Sequence, residues 1–258
     1  MVGFFLKKSF FDGFDNLWKL IILNVLYGFL LFIGISFPIH CFSGNFNYIL
    51  VSLFVMSILF SSYSYGANYF LFKWSCYEQG SLKDCLQNYK GKFKLILIHS
   101  ILSYLIFLVI PLSQYLYLSS RKPVGAFVAL LLFDFEVILF LIHQFFFPVC
   151  YYYNSDGSSV VKRSFAIGID SFGYSFLLIL RSLFDFVLSV ITFSAIPGIC
   201  GIGLSRMDMV RLLAKRYKYI ESNTGVTKKD VDWHLILEDD INSTGKRTIR
   251  SIIFPWKD

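Results

Sequence analysis

VGAFVALLLFDFEVILFLIHQFFFPV, running from Val124 to Val149, carries Asp134, Glu136, His143 and Gln144 as its only strongly polar side chains and meets no proline until Pro148. A helix of about 20 mostly apolar residues crosses the hydrocarbon core of a bilayer, so this stretch predicts a membrane span. Working outward, spans of the same kind are predicted at Leu17 to Phe37, ending before Pro38, at Tyr48 to Phe72 and at Phe93 to Leu118. Composition agrees. Of 258 residues, 56% are hydrophobic, 19% aromatic and only 16% charged, whereas a soluble domain needs roughly a quarter of its residues charged to cover its surface. Lipid is the solvent for much of this chain.

The last apolar region, Phe172 to Ser205, is long for one span and short for two, and Ile196-Pro197-Gly198 interrupts it. Proline removes a backbone donor and glycine weakens a helix, so a break is expected there. Charge arbitrates, because short cytoplasmic loops collect Lys and Arg. Lys7, Lys8 and Lys19 precede the first span, the loop from Pro38 to Asn47 has none, Lys73 to Lys94 holds five, Arg121 and Lys122 follow the third span, and Lys162 and Arg163 follow the fourth. That alternation places the N-terminus in the cytoplasm. Eleven more Lys and Arg follow from Arg206 onward; an even number of crossings gives 21 inside against 2 outside. The reading is therefore an all-α polytopic transmembrane bundle: four spans plus a broken fifth/sixth hairpin, Phe172 to Ala195 and Gly198 to about Leu213. A re-entrant arm returning to the cytoplasmic side satisfies the same charge count, and Arg206, Asp208 and Arg211 make the second arm a poor lipid-facing span. Trp18, Trp74 and Tyr151 to Tyr153 fall at predicted cytoplasmic interfaces, where amphipathic rings belong. A threefold echo, in which a juxtamembrane segment feeds each outward-going helix, supports three hairpins.

Three parts follow: a cytoplasmic juxtamembrane segment (1–16), a transmembrane domain (17–213) and a cytoplasmic basic tail (214–258). The polar stretch Asp12 to Asn16 separates Lys7 and Lys8 from the first apolar run, which reads as a retained helix rather than a cleaved leader. In the tail, Thr227 to Asp230 has the pattern of a capping box opening a short helix through Trp233 to Leu237. The basic apolar peptide Arg247 to Lys257 is expected to dock on its own protein or the membrane, or to serve as a peg for a protein partner. The net charge of +7 is spread over loops and tail with no stripe of base-stacking aromatics, which argues against nucleic acid. Cys41, Cys76, Cys85, Cys150 and Cys200 are dispersed, without CxxC or nearby His, and read as packing residues with no disulfide framework or metal. The sequence shows no Ser/His/Asp, HExxH or nucleotide-loop constellation, so neither an enzyme nor a cofactor is expected.

Ionisable groups inside spans raise the question of function first. Asp134 and Glu136 lie roughly 15 to 18 Å from the outer end of their helix, near the midplane. Two residues apart, they face nearly opposite ways, and Glu136 shares its face with His143. Arg181 and Asp185, four apart, can pair, or Arg181 can meet Glu136 or Asp134. With Asn24 and His99 in the inner half of other helices, the expectation is an intramembrane polar centre of Asp134, Glu136, Arg181, Asp185, His99 and His143. It reads either as interhelical glue or as a proton or ion path.

The lead-in Phe11 to Asn24, the acidic-then-Lys/Phe loop from Phe72 to Phe93, and the Pro197-Gly198 break followed by Gly203 and a basic helix ending Lys215-Arg216-Tyr217 resemble the YesL-like family of bacterial membrane proteins of unknown function. The resemblance covers roughly residues 9 to 219. The chain departs from that family in its intramembrane acids and longer tail. What the resemblance implies is a multi-pass protein of the bacterial cytoplasmic membrane associated with solute uptake, with no catalytic residue carried over. The two functional expectations are a small permease or transport-associated subunit, and a structural or scaffolding membrane protein whose tail recruits a partner.

Overall fold

The computed structural model describes residues 1–258 except 43, 121, 193–195, 224–226, 229, 246 and 248–258. Every regular element among the described residues is a helix. In order these are α1 (Val2–Asp15), α2 (Leu17–Cys41), α3 (Phe46–Ser75), α4 (Leu82–Asn88), α5 (Phe93–Tyr104), a π-helical turn (Leu105–Val109), α6 (Ile110–Ser119), α7 (Pro123–Tyr153), α8 (Ser158–Asp170), α9 (Phe172–Ile191), α10 (Gly198–Ser222) and α11 (Trp233–Thr244). Five helices are long and apolar enough to cross a membrane: α2, α3, α5 with α6, α7 and α9. The chain is an all-α polytopic bundle.

The four expected spans are present, and two overrun their prolines. Pro38 lies within the last turn of α2, which ends at Cys41. Pro148 lies within α7, which continues to Tyr153 and stops at Asn154 in the left-handed region, φ 44°. A proline deletes one backbone hydrogen bond; Phe145, Phe146, Phe147 and Val149, all buried around Pro148, hold the helix through it. In the third span, Pro111 stands just after the π turn. The ring of Pro111 would press on the carbonyl four residues back, at Phe107, and a wider turn relieves that contact.

The fifth region is a hairpin. Antiparallel α9 and α10 pack on each other, and α10 also packs on α1, α2, α3 and α7. Met207, Met209, Val210, Leu212 and Leu213 are fully buried, so α10 is covered nearly all round. Protein surrounds this arm, which is why it tolerates charges that lipid would reject. The hairpin tip is fixed by Asn24 of α2, whose Nδ2 donates to the Pro197 carbonyl at 2.7 Å while its Oδ1 accepts from the Cys200 amide at 2.9 Å. Asn24 lies roughly 10 Å along α2 from Leu17, well short of Cys41, so the hairpin returns before reaching the far end. The second arm runs on without a break past residue 213 to Ser222; Ala195 lies outside the described residues.

The N-terminal helix and the described part of the tail meet at one end of the bundle. Lys7 Nζ donates to the Gly245 carbonyl at 3.0 Å, and Arg247 forks onto Asp15 at 2.8 and 3.0 Å with its guanidinium 4.9 Å from the Phe11 ring. Of the predicted docking peptide, only Arg247 is described. The tail helix begins at Trp233, not at Thr227: Asp232 caps it, accepting from His234 N, and Thr227 and Asp230 close a separate turn. Asp240, buried in α11, pairs with Arg211 at 2.8 Å and Lys215 at 2.7 Å and so latches the tail onto α10.

A short helix precedes each of the three hairpins: α1 before α2, α4 before α5, and α8 before α9. In α1, Val2, Leu6, Phe10 and Phe14 are exposed, followed by Trp18. Spaced by four, they form one apolar outer stripe, and the opposite face buries Lys8, Ser9 and Asp12. A helix apolar outward and polar inward rests against lipid. Trp74, in contrast, is buried in the bundle beneath Lys19 and takes no part in an interfacial belt.

Candidate functional site

The six residues expected to form a polar centre separate into four places. Asp134 is exposed on the outside of α7. Glu136, half-buried, accepts from Gln114 Nε2 of α6 at 2.8 Å. Arg181 Nε donates to Asp185 at 3.1 Å within α9, and Asp185 is buried against α10. The guanidinium thus takes the acid of its own helix, four residues on, rather than Glu136 or Asp134: α9 lies against α10 and α8, and not chiefly against α7.

His99 and His143 do come together. Their rings stack with centroids 4.8 Å apart, bringing α5 against α7. Ser61 Oγ lies 2.9 Å from His99 Nδ1, Ser103 Oγ lies 3.1 Å from His143 Nε2, and His99 also packs on Phe147 at 4.1 Å. Ser103 stands two residues before the π turn, and the wider turn, with Pro111 behind it, sets where Phe107 points.

The pair lines a cavity of about 800 Å³ between α2, α3, the third span, α7, α9 and α10. Arg206, which the sequence marked only as a charge in a poor span, is, among the described residues, the one charged side chain in its wall, and none of them that line it is Asp, Glu or Lys. Arg206 makes no hydrogen bond or ion pair among the described residues, and its buried Nε has no partner. Two further buried polar atoms on this wall are also unpartnered, Gln144 Nε2 and His143 Nδ1. Serines continue the polar side: Ser57 bonds Ser100 at 2.7 Å and Ser64 bonds Tyr27 at 2.7 Å. Asn68 and Ser182 add to it, and most of the remaining wall is aliphatic and aromatic.

A desolvated guanidinium ordinarily finds a carboxylate, because burying it alone costs several kcal/mol. Here it faces a cavity with unused donors and no acid. Donors left in this state recover the lost solvation when they gain a partner, most of all a charged one. Three or more His, Cys, Asp or Glu in metal-binding arrangement do not occur among the described residues.

The signal for Arg206 was in the sequence: Ile199 to Ser205 is apolar or small throughout, and no acid stands three or four residues from Arg206 to pair with it along the helix. The histidines were legible as residues, but their meeting depends on how α5 and α7 register against each other.

The fold defines a multi-pass α-helical membrane protein, with a cavity between its helices that Arg206 lines. Comparison with protein-family models, with curated proteins and with solved structures found no match.

Proposed function

We propose that this is a transport-associated protein of the bacterial cytoplasmic membrane, a small permease or the accessory subunit of one, that handles its solute in the cavity walled by Arg206, His99 and His143. The end at which α1 meets the tail lies in the cytoplasm, because the positive charge of the loops and tail concentrates there. The resemblance to the YesL-like family points the same way. The observation that carries the reading is the chamber of about 800 Å³ with one unpaired cation, a volume within the roughly 300 to 1,000 Å³ of small-molecule sites. A re-entrant, glycine-rich hairpin beside it supplies the interrupted helix that often borders a transport site.

The test is uptake of a panel of radiolabelled solutes in cells lacking the protein, complemented with wild type, with Leu31→Trp, which fills the cavity from α2, or with a chain truncated after Ser222. Loss of uptake in Leu31→Trp at unchanged membrane abundance supports the reading. Loss in the truncated chain alone makes the protein a scaffold that acts through its tail, and no uptake difference between deletion and wild type refutes transport.

A further inference from the structure

The cavity is open on the lipid side. Ile35 of α2, Phe107 of the π turn, and Leu183 and Phe186 of α9 line it, yet are 51%, 62%, 57% and 60% exposed. No substantial packing joins α9 to α2 or to the third span, so these side chains rim a lateral gap. The chamber therefore has two chemically distinct ends: donors and a cation at Arg206 and Gln144, hydrocarbon at the rim.

A small hydrophilic anion fits the first end and not the second, since it would cross an apolar rim and leave most of the wall unpaired. A neutral lipid fits the second end and leaves the guanidinium unmatched. Only a molecule with an anionic head and an apolar tail matches both. The volume of about 800 Å³ accommodates one chain with a compact head. We propose that the cavity binds a single-chain amphiphilic anion, a long-chain carboxylate or alkyl phosphate, with its head on Arg206 and its chain directed to the rim between α2, the π turn and α9, and that it enters from the bilayer. This rests on the transport reading for its purpose, though not for its chemistry.

The test uses the full chain purified in a neutral maltoside detergent. Binding of radiolabelled hexadecanoate is measured by scintillation proximity, with hexadecyl phosphate, hexadecanol, hexadecyltrimethylammonium, inorganic phosphate and acetate as competitors. Saturable binding of one per chain is expected, displaced by hexadecyl phosphate. Hexadecanol should compete at least tenfold less well, and the cationic amphiphile and the two small anions not at all. Arg206→Gln should weaken binding at least tenfold while Arg206→Lys retains part of it. Ser182→Trp, which fills the cavity from α9 without touching a charge, should abolish binding, and it serves if Arg206→Gln does not fold. Hexadecanol binding as well as the acid, inorganic phosphate competing as well as its hexadecyl ester, or full binding by Arg206→Gln or Ser182→Trp would overturn the proposal. The two readings fail separately. If Leu31→Trp loses uptake but hexadecanoate does not bind, transport stands and the amphiphile falls; saturable binding with no uptake phenotype does the reverse.

Discussion

Lys8 sits at the centre of the contact between α1 and α10, and replacing it with Met, which keeps most of its volume, isolates its charge. The side chain is fully buried. Its Nζ contacts the Asp12 carboxylate, lies 3.3 Å from Asp208, donates to the Ser75 carbonyl at 3.0 Å and rests 4.1 Å from the Tyr77 ring centroid. Asp12 and Asp208 are themselves 4% and 0% exposed, so one buried cation serves two buried acids. Burial, and then the neighbouring Asp208, push the Asp12 carboxyl up to about 8. The folded cluster therefore retains a proton near neutrality, giving one ammonium, one carboxylate and one neutral acid. Lys8→Met removes the cation that contacts both acids. Breaking a buried pair by deleting one partner costs about 3 to 5 kcal/mol, which corresponds to a fall in melting temperature on the order of 10 °C for a chain of this size. Protonation of the second acid limits that loss at low pH, so the defect should be larger at pH 8 than at pH 5. The companion Asp12→Asn mimics the neutral acid and leaves Lys8 with Asp208. In wild type, a carboxyl raised from 3.8 to about 8 binds its proton in the folded state and not in the unfolded one across that window. Its stabilisation is complete below about pH 4 and fades as pH rises towards 8, by at most about 1.4 kcal/mol per unit. Asp12→Asn should flatten that decline and melt near wild type at pH 6. Thermal unfolding in detergent, followed with a thiol-reactive dye that reports exposure of buried Cys85, Cys150 and Cys200, measures all three chains. A Lys8→Met protein melting within 2 °C (~0.5 kcal/mol) of wild type at pH 8, or an Asp12→Asn protein as damaged as Lys8→Met, would refute the charge accounting.

Gly198 has φ +64°, and a methyl there would fall on the Asn24 amide that holds the hairpin tip; Gly198→Ala should cost about 1 to 3 kcal/mol and make Cys200 react faster with thiol reagents. Asp240→Ala removes the acid shared by Arg211 and Lys215 and should free α11, seen as faster tryptic cleavage between residues 223 and 245 with the bundle's melting unchanged; equal cleavage rates would show that α11 is held by other contacts. Ser243 is exposed on α11, so a Ser243→Cys variant lacking the five native cysteines should be labelled by an impermeant maleimide in inverted vesicles and not in intact cells, and labelling in intact cells would reverse the proposed orientation.

The four spans were readable because lipid imposes a rule that sequence alone can express: every exposed position over about 20 residues must be apolar. Leu17, Phe93 and Phe172 open observed helices where the sequence placed them; α3 runs on past Phe72 to Ser75, and at Pro38 and Pro148 neighbouring packing overrides a lost hydrogen bond, so those helices also run on. The second arm of the hairpin obeys no such rule. Arg206, Asp208, Arg211 and Arg216 would exclude it from lipid, but α1, α2, α3, α7 and α9 enclose it, so its charges answer to protein partners that are distant in sequence: Lys8 for Asp208, Asp240 for Arg211, Asp170 for Arg216. Those pairings are tertiary facts, separated by up to 200 residues, and no local period encodes them.

The same distinction explains why acids chosen by depth proved less telling than a cation chosen by its lack of a partner. Asp134 and Glu136 drew attention because they lie in the middle of an apolar run, yet one points outward and the other bonds Gln114. Arg181 found its acid one helical turn away, as the i, i+4 spacing allows. Each of the other charged groups on α10 named above also has its mate, so the ion-pairing capacity of this region is nearly used up by the fold itself. Arg206 stands apart from that economy. It is placed on the most enclosed helix of the bundle, where removing it would relieve a desolvation penalty, and it is turned into a chamber with no acid in its wall. That placement is the basis of the proposal that the partner of Arg206 comes from outside the chain.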